Sequence, residues 1–162
     1  MGWYYEDFEL GRTVLTPGRT ITEADVGVFA GLTGDFNPLH TDEVFARETD
    51  FGGRIAHGPM VLGMAFGLGA RAGLFDGTVL GLLGLQWTFQ GPVRAGDTVH
   101  VRVTVLEART TKKPDRGIVD LSLDVRNQYQ TTLQMGRCQV MIRRKPVDTP
   151  PETSGISAPQ RT

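Results

Sequence analysis

The sequence predicts an α+β fold in which short helices come first and an antiparallel meander then surrounds one very apolar helix. Three observations carry that expectation. Gly58 to Gly73, "GPMVLGMAFGLGARAG", is apolar nearly all round, as suits a helix enclosed by other structure. Downstream, Val99, Val101, Val103 and Val105 alternate with His100, Arg102 and Thr104, the period of a half-buried strand. Val119, Leu121, Leu123 and Val125 repeat it after a turn at Lys112 to Gly117, "KKPDRG". One sheet with its helix on one face is an α+β arrangement.

The elements follow in chain order. Thr22 caps a helix whose first turn holds Glu23 and Asp25, where the helix dipole favours acids. Val26, Phe29 and Ala30 share its inner face. Thr41 or Asp42 caps a second short helix through Arg47, with Val44, Phe45 and Ala46 available for burial. Pro38 fixes the backbone that enters it. In the third helix Gly63, Gly67 and Gly69 each cost about 1 kcal/mol against alanine. Close approach of the sheet to the helix backbone is expected to offset that cost. Thr78 to Phe89 is an apolar strand ended by Gly91-Pro92, and a last strand places Cys138, Val140 and Ile142 in phase. Residues 1–145 read as one domain, and the proline-rich stretch 146–162 reads as a disordered tail.

Bulk properties exclude several classes. A chain of 162 residues is one domain's worth, and its net charge of -1 leaves no basic footprint for nucleic acid. The single cysteine, Cys138, allows neither an intrachain disulfide nor a CxxC metal site, which suits a reducing cytoplasm. Spacing among His40, His57 and His100 suggests no metal site. The start, "MGWYYEDFELG", lacks the basic region and apolar run of a signal peptide. Met60 to Leu74 is too short to cross a bilayer. A soluble, cytoplasmic protein without a membrane partner is expected.

The chemistry concentrates in "TGDFNPLHTDE", Thr33 to Glu43. Asp35 and His40 are five residues apart, with Asn37 able to bond locally and Pro38 removing a backbone freedom. A carboxylate and an imidazole held stiffly can bind one water, withdraw its proton and return a proton to a neighbouring atom. In "RIAHGPM", His57 reads as a core or cap histidine, or else as a group behind the reacting pair. Gly58 opens the apolar helix, so its backbone N–H is a candidate oxyanion donor, while Pro59 has none to offer. An ordinary proline-led helix start explains the same residues equally well. "GLGARA", Gly67 to Ala72, fits a dinucleotide fingerprint in letters alone, since no strand precedes it.

Phe29 to Ala46, "FAGLTGDFNPLHTDEVFA", resembles the signature of the MaoC-like dehydratases, the (R)-specific enoyl-CoA hydratase or hydratase 2 family. "YYEDFELGRTVLTPGRTITEADV", "FGGRIAHGPM" and "GPVRAGDTV" extend the similarity to nearly everything before about Arg144. The resemblance implies a hot-dog fold, an antiparallel sheet wrapped around one long central helix, joined as a homodimer or larger homo-oligomer. It implies reversible hydration of a trans-2-enoyl thioester to the (3R)-3-hydroxyacyl thioester, carried by CoA or by an acyl-carrier protein. No cofactor is implied beyond the CoA of the substrate. Asp35 and His40 match the catalytic pair, Gly58 the carbonyl-polarising glycine and Asn37 the loop-supporting asparagine. Two departures stand out: Pro59 follows the glycine, and "GMAFG" supplies no serine hydroxyl. Phe66 is expected near the acyl tunnel, where it would limit substrate length. The alternatives are a hot-dog thioesterase and a non-catalytic acyl-CoA-binding module.

Overall fold

A computed structural model describes residues 1–146, so all but the first residue of the expected tail lies outside the described residues. Helix α1, Glu23–Thr33, starts at the expected cap: Thr22 and Asp25 bond each other's backbone N–H groups. It ends at Gly34, whose φ of 76° closes the helix in the left-handed region that glycine adopts freely. A single turn, α2, Pro38–Thr41, follows, and then α3, Glu43–Arg47, which is capped by Asp42. Of the three apolar residues on α3, only Ala46 is buried, and Val44 and Phe45 face outward. Five residues complete too few turns to bury more than one narrow stripe.

Helix α4, Gly58–Arg71, packs Met60, Val61, Ala65 and Leu68 onto the sheet. The sheet runs in the order β1-β4-β5-β6-β3, built from β1 (Thr13–Leu15), β3 (Val79–Phe89), β4 (Thr98–Thr110), β5 (Arg116–Arg126) and β6 (Thr132–Arg143). A two-residue strand, β2 (Arg19–Thr20), also pairs with β4. All the pairings are antiparallel. The alternating valines and leucines of β4 and β5 face the core, and Val101, Val119, Leu121, Leu123 and Val125 are fully buried. This is the hot-dog arrangement. Among the described residues, no helix is long and apolar enough to cross a membrane.

Two expectations about α4 need correction. The helix is enclosed on its sheet side alone, and Pro59, Gly63, Gly67 and Ala70 are exposed on the other. Nor does the sheet press on Gly63 or Gly67, since among the described residues a Cβ at either would meet nothing within 4 Å. Both glycines face a groove of about 480 Å³ between α1 and α4. Close approach applies only to Gly69, under the Phe75 ring, and to Gly58, under Phe89.

Candidate active site

The loop after α1 is held by its own short polar side chains. Asp35 N–H donates to Thr33 Oγ1 at 3.3 Å, Asn37 N–H to Asp35 Oδ1 at 3.2 Å, and Leu39 N–H to Asn37 Oδ1 at 3.0 Å. Asn37 thereby caps α2, and Pro38 takes the first helical position, where a missing N–H costs nothing. This one turn, in place of a plain loop, turns His40 inward. His40 Nδ1–H donates to the Ile55 carbonyl at 2.8 Å; because a carbonyl only accepts, Nδ1 carries a proton, and in the neutral ring Nε2 is the nitrogen with the lone pair.

His57 joins them. It is 1% exposed, its Nε2–H donates to the Asp35 carbonyl at 2.9 Å, and its ring stacks on His40. Among the described residues its Nδ1 has no hydrogen-bond partner. Asp35, His40 and His57 bring a ligand-type atom each within 4.8 Å of one another. Such spacing also suits a metal ion, yet two of the four ring nitrogens are committed to backbone carbonyls. The Asp35 carboxylate, half-exposed, lies 3.9 Å from His57 Nε2. The cluster gathers three groups of the kind that can hold and pass protons.

His40 and Gly58 share the wall of a cavity of about 430 Å³, with Phe51, Ile55, Phe89 and Val93 supplying apolar surface. Gly58 is the first residue of α4, so its N–H lies outside the intrahelical ladder. The Phe89 ring occupies the place of a side chain there, 2.7 Å from where a Cβ would stand. The larger groove between α1 and α4 contains no ring nitrogen in its lining, which makes the His40 cavity the candidate site.

Phe66 is not brought to this cavity. It lies eight residues along α4 from Gly58, about 12 Å at 1.5 Å per residue, and its ring sits 6.5 Å from that of Trp87. Other residues, unforeseen from the sequence, shape the site. Arg94 donates to the carbonyls of Phe51 and Arg54, and Ala56 N–H donates to the Val93 carbonyl at 2.7 Å. These bonds pin the segment that carries Ile55 and His57. Gln134, buried on β6, bonds the Gly58 carbonyl. Its signal was available, because Gln134 shares the two-residue phase of Cys138, Val140 and Ile142 and is therefore a polar group at a core position.

The chain is similar to known proteins over this same region. It is 39% identical over 111 residues to an (R)-specific enoyl-CoA hydratase of Rhodospirillum rubrum, covering 68% of this chain and 74% of that one. It is 41% identical over 102 residues to Protein MaoC of Klebsiella aerogenes, covering 62% of this chain but spanning only 30% of that protein's length. A crystal structure of a MaoC-like dehydratase from Rhodospirillum rubrum superposes with a TM-score of 0.82 at 32% identity, covering 90% of this chain and 100% of the other. Residues 7–127 match the family described as MaoC like domain, and the chain belongs to that family.

Proposed function

We propose that the protein hydrates a trans-2-enoyl thioester reversibly to the (3R)-3-hydroxyacyl thioester. One observation carries the reading: Asp35, His40 and His57 converge within 4.8 Å beside an apolar cavity whose wall includes the Gly58 helix start. The naming of the Rhodospirillum rubrum relative as an (R)-specific enoyl-CoA hydratase supports the stereochemistry.

A water held between the Asp35 carboxylate and His40 Nε2 loses a proton to the pair as its oxygen attacks C3. Electrons of the double bond move to the thioester oxygen, and the Gly58 N–H stabilises that oxyanion. A proton returned by the pair to C2 completes the addition, so one H₂O is consumed and nothing else is released. Both additions come from one side, giving syn stereochemistry. The pair acts as a unit. CoA, or an acyl-carrier protein, enters as part of the substrate, and the reaction needs no further cofactor.

The working form is a homodimer. Leu82, Leu83, Leu85 and Phe89 expose apolar surface on β3, which ends the sheet with an unpaired edge. An apolar edge strand of this kind is stable in water when covered by another copy.

The deciding experiment incubates the protein with enoyl-CoAs of graded length and follows loss of the conjugated absorbance, release of free thiol and chirality of the product. Hydration to the 3R product supports the proposal. Thiol release with the enoyl absorbance intact indicates hydrolysis instead, and tight binding without turnover indicates a carrier module.

A further inference from the structure

The helix start at Gly58 is held from the sheet by a relay of two side chains. Gln134, 2% exposed, donates Nε2–H to the Gly58 carbonyl at 3.3 Å, and its Oε1 accepts the Trp87 indole N–H at 2.9 Å. An indole nitrogen only donates, so Trp87 decides which way the amide faces: oxygen to the ring, NH₂ to Gly58. Trp87 is braced in turn, its ring lying across Gly136 where no side chain would fit. On the other flank of Gly58, Phe89 fills the space of the missing Cβ. Phe89 and Gln134 are cross-strand partners on β3 and β6, so one rung of the sheet grips the glycine from both sides.

We propose that Gln134, oriented by Trp87, is a positioning residue for the Gly58 amide, an inference that rests on the hydration reading above. The Gly58 carbonyl belongs to the peptide bond into Pro59, which has no N–H of its own. Holding that peptide plane from the sheet fixes the backbone of Gly58 at the cavity wall, and with it the direction of its N–H. An oxyanion donor acts over a narrow range of distance, and a displacement of about 1 Å loses on the order of a hundredfold in rate. The central helix supplies no hydroxyl for the task between Gly63 and Gly67. The sheet supplies an amide instead. A buried amide with both ends engaged is rigid in a way that a methionine of the same length would not be.

The test compares Gln134→Met, Gln134→Glu, Trp87→Phe and the double variant Trp87→Phe/Gln134→Met with the wild type. Crotonyl-CoA hydration gives kcat and KM, and the infrared carbonyl stretch of bound, unreactive butyryl-CoA reports polarisation by the amide. Gln134→Met is expected to lower kcat at least about tenfold with KM within about threefold, the pattern of a lost transition-state interaction. The carbonyl stretch should move back toward its value in water. Trp87→Phe should lower kcat less, and should add nothing in the Gln134→Met background, because both act through one bond. Folded variants with wild-type kcat and carbonyl stretch overturn the inference, as does a rise in KM alone. If Gln134→Met does not fold, Gln134→Glu and Trp87→Phe decide by the same criteria. A wild-type protein that hydrates no enoyl thioester overturns the activity itself, and this role with it.

Discussion

His40 and His57 clasp each other's chain segments. Their rings stack with 3.8 Å between centroids, while His40 bonds the carbonyl of Ile55, two residues before His57, and His57 bonds that of Asp35, five before His40. Each imidazole thus anchors the stretch of backbone that carries the other, so neither can drift without stretching a hydrogen bond.

Replacing either member of the Asp35–His40 pair should remove activity and leave the fold. Asp35→Asn keeps an oxygen for the Asn37 N–H, so the loop should stay in place. Both it and His40→Ala should lower kcat for crotonyl-CoA by about 10²–10⁴, with unchanged circular dichroism. Near-wild-type turnover in either would remove the pair from the mechanism.

His57→Phe keeps a flat ring against His40 but cannot donate to Asp35. Stability should fall by about 1 kcal/mol, the worth of an ordinary hydrogen bond, as read from urea unfolding. Rate should fall by about tenfold or more through loss of alignment. A rate loss no larger than the stability change accounts for would leave His57 a packing residue.

Gly58→Ala should fold, because the added methyl would meet a side chain, the Phe89 ring, and no backbone atom. The added methyl meets that ring at 2.7 Å, so ring and helix start must part. Hydration should drop at least about tenfold as the amide shifts. A thermal midpoint close to wild type together with that drop would place the effect on the amide.

Asp120 should govern part of the acid stability. It is 2% exposed, and burial, the largest single influence, pushes its carboxyl up. Hydrogen bonds from Arg137 and Gln139 and the charges of Arg137 and Arg109 outweigh burial and hold it below 3.8. A lowered pKa means stability fully present above the unfolded value and lost as pH falls through the folded one. Asp120→Asn should therefore cost about 1–3 kcal/mol near neutral pH. The difference from wild type should shrink below pH 3.8. A gap that is constant with pH would contradict this.

The Cys138 thiol should ignore thiol reagents while the protein is folded. Burial, and then the Asp120 charge, push it up to about 12, so almost no thiolate exists at neutral pH. One equivalent should react only in denaturant. The same property keeps the thiol-release assay for hydrolysis free of background.

Legibility followed the range of the interactions. Thr22 and the alternating faces of β4 and β5 were readable because caps and strand period depend on neighbours in sequence. The stiff turn that carries Asp35 and His40 was readable for the same reason. Asp120 was not. It lies on the outward phase of β5, where Arg137 and Gln139 from β6 and Arg109 from β4 reach over it. The exposed face of α4 was misjudged because an apolar sequence does not say how many sides will be covered within one chain. Gln134 and Trp87 needed the register of β6 against β3 before their bond could be seen.

The mutual bracing of the two histidines means that the cup is set before any ligand arrives. For the proposed hydration, a pre-set cup would lower one and the same barrier for traffic in both directions and leave the balance between alkene and alcohol where solvent water puts it. The direction of flux would then be decided by whichever neighbouring step drains its pool faster.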